Sequence, residues 1–361
     1  EKRLHFMLVG EYPENIYVYD PYFVEGDPVQ TEENLKDLTP TQRTHYDRWR
    51  KTLIFNDYYK NTTGRSYLSN YLRPPPTHHM WRADYFGQEH WVTTKETHFV
   101  IKPPEHELEP IKATGKARVL QNDQLRLLHQ YRDPHQTILN MTLKALSCSP
   151  RAFEISNFLS DIEVEHLIDV AGGYNLHLSS TGDGEGAGKE DSRRTRTSYN
   201  SWVPRERTPI IDAIYRRAAD LQLVDEALMR SRDADELPEV PSRRSLTEQL
   251  QLVNYGVGQE YTAHHDFGFA NVDKEHQAAR FSTLLLYLNE GMDGGETTFP
   301  RYVNAETFHK YEVKPEIGKA VLFYSQLPDG NMDDFSHHAA EPVRNGEKWL
   351  MNLWFWDPVY Q

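Results

Sequence analysis

Two short stretches of this 361-residue chain hold side chains that could bind one metal ion together. The first is Tyr261-Thr262-Ala263-His264-His265-Asp266, and its useful pair is His264 and Asp266. Residues two apart on an extended strand share a face, so an imidazole and a carboxylate can aim at one ion while His265 turns away. Two ligands do not close a site. A third is offered far downstream in Ser336-His337-His338, and ten residues after His338 comes Lys348. Two histidines and a carboxylate on one side of a metal leave positions open, an arrangement suited to non-heme Fe(II) and oxygen. In a chain with 17 histidines a lone His-x-Asp would say little; the combination says more.

Between the two stretches lie Arg280-Phe281-Ser282-Thr283-Leu284-Leu285-Leu286-Tyr287, Gly294-Gly295-Glu296-Thr297-Thr298-Phe299-Pro300 and Gly318-Lys319-Ala320-Val321-Leu322-Phe323-Tyr324-Ser325. With these, the sequence resembles the prolyl 4-hydroxylase family of Fe(II)- and 2-oxoglutarate-dependent dioxygenases over roughly residues 148 to 357. The resemblance implies His264, Asp266 and His338 as the iron ligands, the family's spacing of ten to the lysine favouring His338 over His337. It implies Fe(II), 2-oxoglutarate and O2 as reactants, with ascorbate as an accessory. Lys348 matches the residue that meets the far carboxylate of 2-oxoglutarate. An unpaired buried ammonium would be costly or lose its proton, so such a lysine needs an anion. Tyr255 and Thr297 match positions that help hold the co-substrate, and Trp354 matches an aromatic wall. Arg196, Tyr261 and Arg280 match positions lining a peptide channel, which would suit an extended polyproline II segment. Two departures bear on substrate preference: Ala263 replaces a usual proline, and Glu341 stands where a cysteine is common.

The expected reaction is hydroxylation of prolyl residues in a peptide or protein, giving 4-hydroxyproline, succinate and CO2. The same chemistry on another amino-acid target, and a non-catalytic scaffold subunit of a larger assembly, stand as alternatives. Family resemblance also implies the secretory pathway, in the lumen of the endoplasmic reticulum or Golgi.

The elements that must position these residues can be read in part. The expected fold is α+β, a double-stranded β-helix (jelly roll) with flanking helices. Residues 146–361 would form the dioxygenase domain, and residues 1–145 an aromatic-rich N-terminal extension or docking lobe that could meet a protein partner. In that region Thr39-Pro40-Thr41-Gln42 predicts a helix to about Phe55, Arg73-Pro74-Pro75-Pro76 an extended linker, and Thr97 to Ile101 a short strand. His78 and His79 lack carboxylate or cysteine company at ligand spacing, so they read as surface or packing residues. Ser160-Asp161-Ile162-Glu163 is a capping box, followed by Val164, Leu167, Ile168 and Ala171 on one helical face. Thr208-Pro209 opens a second helix with Ile210, Ile214, Ala218 and Leu221 in line. The glycine-rich stretch from Ser179 to Ser192 reads as a mobile loop and a candidate lid beside Arg196-Thr197-Ser198. Residues 225–246 read as an exposed insertion, and period-two strands follow from Leu250.

Composition sets outer bounds. The net charge of −14 argues against a nucleic-acid partner, which needs a basic face. No apolar run reaches membrane-spanning length. Glu1 stands where a methionine would begin a full chain, leaving room for a leader or anchor upstream. Cys148 is the single cysteine, so no internal disulfide forms. Two N-glycosylation triplets occur, Asn61-Thr62-Thr63 and Asn140-Met141-Thr142.

Overall fold

The computed structural model describes residues 78–95, 98–100, 138–179, 195–233, 243–268, 278–302 and 310–357 save 329 and 331, with Lys36, Asn61 and Pro76 besides. The expected helix after Thr39, the linker at 73–75 and the lid candidate beyond Ser179 lie outside the described residues.

The chain order is β1 (Glu89–Lys95), β2 (Ile138–Cys148), β3 (Arg151–Ile155), α1 (Asp161–Gly172), β4 (His177–Leu178) and β5 (Tyr199–Val203). Then come α2 (Pro209–Gln222), β6 (Leu250–Tyr255), β7 (Tyr261–His264), β8 (Arg280–Tyr287), β9 (Asp293–Gly294) and β10 (Thr297–Phe299). The last are β11 (Tyr311–Val313), β12 (Ala320–Tyr324), β13 (His338–Ala340), β14 (Val343–Asn345) and β15 (Lys348–Trp356). Nine strands form a major sheet in the order β1-β2-β3-β12-β8-β15-β6-β5-β4. A minor sheet runs β11-β10-β13-β7, and β14 pairs with β9.

Alternation along the central strands builds three layers. Leu250, Leu252, Leu284, Leu286, Leu322, Met351 and Leu353 pack on the side of the major sheet that meets Leu167 of α1 and Ile210, Ile214 and Ala218 of α2. Their neighbours Val253, Tyr255, Leu285, Tyr287, Val321, Phe323 and Leu350 face the other way, onto Phe299, Val313 and Ala340 of the minor sheet. Two sheets closing on a shared interior make the double-stranded β-helix, with the helices on its outer face. From Leu250 the strands alternate between faces as expected, but no solvent face results: β6 and β8 are covered on both sides, so nearly all their side chains are buried.

The helices start as the sequence predicts. Ser160 caps α1, its hydroxyl accepting from the Glu163 amide, while the Ser160 amide donates to the Glu163 carboxylate at 2.9 Å. Thr208 caps α2 with Pro209 in the first turn. Glu163 also pairs with Arg217 of α2, both side chains fully buried. Arg217 Nε donates to His98 O at 2.9 Å, and the Val100 amide donates to Glu163 at 2.8 Å. These bonds explain one correction. Residues 98–100 form no strand, because their backbone docks onto the buried ion pair instead of a ladder; the strand lies earlier, at β1.

Two further expectations change. The boundary placed between residues 145 and 146 falls inside β2, and β1 pairs with β2 along its whole length, so the described part of residues 78–145 extends the major sheet. The stretch 225–246 is anchored at its ends: Met229, Arg232 and Leu246 are buried, and the Leu246 amide donates to Leu228 O at 2.7 Å. His78 and His79 pack as expected, His78 Nε2 lying 2.7 Å from Trp356 O and His79 edge-on to Trp81.

Candidate active site

Strand pairing brings the predicted ligands together. His264 ends β7, His338 begins β13, and the two are direct partners in the minor sheet. Asp266 sits just past the end of β7, so a coil rather than strand alternation turns its carboxylate back toward the histidines. His264 Nε2 lies 3.5 Å from Asp266 Oδ1, and His338 Nε2 lies 3.5 Å from Asp266 Oδ2. The ligand atoms of all three lie within 4.8 Å of one another.

Each histidine is held at its other nitrogen. His264 Nδ1 donates to Thr262 O at 2.9 Å, and His338 Nδ1 to Ser336 O at 2.8 Å, with that tautomer leaving both Nε2 lone pairs for a metal. Burial pushes the His338 imidazole down to about 4, so at neutral pH the ring is uncharged. Burial by itself would raise the Asp266 carboxyl, but the imidazoles of His338 and His264, with Arg280, hold it well below the usual carboxylate range. Two donors fix that carboxylate: Thr283 Oγ1 at 2.9 Å and Trp354 Nε1 at 3.0 Å, both to Oδ2. Thr283 and Trp354 face each other across β8 and β15. Trp354 is therefore more than the aromatic wall expected from sequence. Two imidazoles with their Nε2 atoms turned inward and a braced, ionised carboxylate converging on one point fit a divalent cation.

Lys348 opens β15 opposite Tyr255 on β6, and its side chain is fully buried. Burial lowers its ammonium to about 7. Its nearest polar partner is Thr297 Oγ1 at 3.5 Å, the outer limit of a hydrogen bond, and no carboxylate pairs with it among the described residues. The rings of Tyr255 and Tyr287 flank it at 5.5 and 5.6 Å. A Cβ on Gly295 (φ +73°) would stand 3.3 Å from Lys348 Cδ, so the stem is packed from that side too. A cation this enclosed and this poorly partnered fits an anion supplied from outside the chain.

A cavity of about 460 Å³ joins these groups, lined by all ten residues singled out from the sequence. Arg196 lies with its guanidinium 4.6 Å from the Tyr261 ring and donates to Ser198 Oγ at 2.9 Å. Arg280 grips Glu248 through two bonds of 2.6 and 2.9 Å and stacks 3.9 Å from the Trp354 ring. The cavity also includes Trp202, Gln251 and Asn352, which the sequence reading missed. Thr283 and Tyr287 were missed as well. A signal existed for Thr283 and Asn352, each a polar residue at a buried position of an otherwise apolar run.

This is the site of an Fe(II)- and 2-oxoglutarate-dependent dioxygenase. The family model described as the 2OG-Fe(II) oxygenase superfamily matches residues 250–356, which span the three candidate ligands and Lys348. The chain is 34% identical over 223 residues to probable prolyl 4-hydroxylase 3 of Arabidopsis thaliana, covering 58% of this chain and 71% of that protein. It is 30% identical over 238 residues to prolyl 4-hydroxylase 2 of the same plant, covering 61% and 72%. Among solved structures, the 2-oxoglutarate complex of a viral collagen prolyl hydroxylase from Paramecium Bursaria Chlorella virus-1 aligns at 25% identity and a TM-score of 0.41, covering 57% of this chain and 95% of that one. The chain belongs to the prolyl 4-hydroxylase family.

Proposed function

We propose that this enzyme hydroxylates prolyl residues of extended, proline-rich peptide segments at the His264–Asp266–His338 centre. The observation that carries the reading is the pairing of that centre with a buried, anion-seeking Lys348 in one cavity. Membership of a family whose named relatives are prolyl 4-hydroxylases supports the substrate class. His264, Asp266 and His338 would hold Fe(II), and Lys348 would receive the distal carboxylate of 2-oxoglutarate. When bound, these supply the oxidising power, with succinate and CO2 as by-products and one oxygen atom placed on the substrate.

The chain's own groups prepare that chemistry. Tyr287 donates its hydroxyl to Thr297 Oγ1 at 2.8 Å, and Lys348 approaches the same oxygen. With two donors aimed at its oxygen, the Thr297 hydroxyl proton is directed elsewhere and can serve an incoming carboxylate. Thr283 and Trp354 keep Asp266 oriented and charged. Asp266, His338 and Lys348 are each less than one-tenth exposed, which limits the access of water to the inner end of the cavity. Arg196, Tyr261 and Arg280 hold the outer wall, where a solvated polyproline II backbone can lie against aromatic and guanidinium faces. None of the helices in the described residues is long and apolar enough to cross a membrane. We place the enzyme in the secretory lumen, a reading supported by the family, and assign partner docking to the N-terminal region, residues 1–145.

The test is to incubate the chain with Fe(II), 2-oxoglutarate, O2 and a set of proline-rich peptides, reading succinate and peptide mass. Peptide-stimulated succinate with one oxygen added at proline is expected. Turnover that no peptide stimulates would overturn the assigned substrate class.

A further inference from the structure

The β1–β2 ribbon carries one sequence motif that catalysis does not use. Asn140 of the Asn140-Met141-Thr142 triplet is exposed on β2, directly opposite Thr93 of β1. Trp91, two residues earlier on β1, lies opposite Thr142, so Trp91, Thr93, Asn140 and Thr142 share one face of the ribbon. The alternation of β1 shows which face this is: Val92 and Thr94 are buried, whereas Trp91 and Thr93 are exposed. Trp91 is 68% exposed, the most exposed of the large hydrophobic residues in the described parts. It lies on the diagonal from Asn140, a separation of about 7–8 Å that an aromatic side chain spans.

A triplet alone is common, and a single exposed aromatic is ordinary. A third observation links them. The Thr142 hydroxyl is buried and has no hydrogen-bond partner among the described residues, a costly state that valine would avoid at the same shape. The fold gives that hydroxyl nothing to do; the triplet does, because N-glycan transfer needs a hydroxyl two residues after the asparagine.

We propose that Asn140 accepts an N-linked glycan and that Trp91 is the platform on which its first sugar packs. In the transfer, the Asn140 carboxamide nitrogen attacks C1 of a lipid-pyrophosphate-linked oligosaccharide. The C1–O bond breaks, the lipid pyrophosphate leaves, and the amide gives up one proton as the N–C1 bond forms. Transfer takes place on the extended chain, before β2 pairs and buries the Thr142 hydroxyl. In the folded protein the C–H face of the first N-acetylglucosamine then covers the indole. For the native chain this rests on the lumenal address proposed above, so the acceptor is tested independently of that address.

The full chain is expressed in animal cells behind a heterologous secretory leader, as wild type, Asn61→Gln and Asn61→Gln/Asn140→Gln. One glycan is expected on secreted Asn61→Gln and none on the double variant. Peptide N-glycosidase should leave aspartate at position 140, read by peptide mass spectrometry. Secreted Asn61→Gln protein with an unmodified Asn140 would overturn the acceptor. Location of the native chain by cell fractionation is a separate readout that bears on the address alone. For the platform, Tm is measured before and after enzymatic glycan removal in Trp91 and Trp91→Thr backgrounds, threonine retaining strand propensity. Removal should lower Tm with Trp91 present and leave Trp91→Thr nearly unchanged. An equal drop in both would overturn the platform.

Discussion

His264 and His338 differ from His265 and His337 by one residue each, yet the two pairs have opposite surroundings. The inner pair keeps both Nε2 atoms beside Asp266, with each Nδ1 tied to a backbone carbonyl. The outer pair is spent on packing. His265 stacks on Phe267 at 4.4 Å and meets His337 at 4.6 Å, and its Nε2 lies 3.3 Å from Asp334 O. The nearby acid, Asp334, is already paired with Arg301. Burial, with the neighbouring His265 and Arg301, pushes His337 down to about 3. Identical side chains thus stand either beside an acid held by neutral donors or beside one already paired with an arginine. The outer cluster joins the loop after β7 to the segment before β13, beside the positions of Asp266 and His338.

The contrast can be broken most severely at its carboxylate. Asp266→Ala, like His264→Ala or His338→Ala, is expected to reduce Fe-dependent 2-oxoglutarate consumption to background; wild-type turnover in any of them would remove that residue from the centre. Next in size is Lys348→Ala. A charge-assisted hydrogen bond contributes about 1.5–3 kcal/mol, so the 2-oxoglutarate KM should rise by about 10- to 150-fold while Fe(II) affinity holds. Lys348→Arg should restore little, since Gly295 and the flanking tyrosines leave no room for a guanidinium fork.

Removing the brace from the inner acid should cost somewhat less. Thr283→Val or Trp354→Phe deletes one donor to Asp266 Oδ2, and Fe(II) affinity, measured by titration, is expected to fall by about 10- to 100-fold. A pH series sharpens the role of Lys348. Its ammonium is lowered to about 7 in the free protein, and a bound carboxylate stabilises the charged form. Binding above pH 7 must therefore take up a proton, and 2-oxoglutarate affinity should weaken by up to about tenfold per pH unit. A flat profile from pH 6 to 8.5 would mean that the lysine stays charged without its anion. The smallest effect belongs to the outer pair: His265→Ala and His337→Ala should lose less than tenfold in turnover, with a stability cost of about 0.5–3 kcal/mol seen in denaturant melts. Complete loss in a folded His265→Ala protein would erase the distinction between ligand and brace.

Much of the site was legible because ligand chemistry is written in residue type and local spacing. His264-x-Asp266, His338 and Lys348 declare their chemistry wherever the chain puts them, and Ser160 and Thr208-Pro209 mark helix starts through bonds made within four residues. What escaped depends on partners far away in the chain. Thr283 and Trp354 reach one oxygen of Asp266 only because β8 and β15 pair in one register. Residues 98–100 left the strand pattern because Glu163 and Arg217 offered their backbone a buried ion pair. Full coverage of β6 and β8 removed the solvent face that such alternation usually marks.

The sequence by itself determined which atoms can bind a divalent cation and which cation can meet a carboxylate, since those are properties of single side chains. Only the tertiary structure decided that His338 Nε2 lies 3.5 Å from Asp266 while His337 packs against His265, and that Lys348 is sealed with no carboxylate paired to it among the described residues. Both outcomes are set by strand register and layer packing, where a shift of one residue would exchange inner for outer face and turn a ligand into a brace.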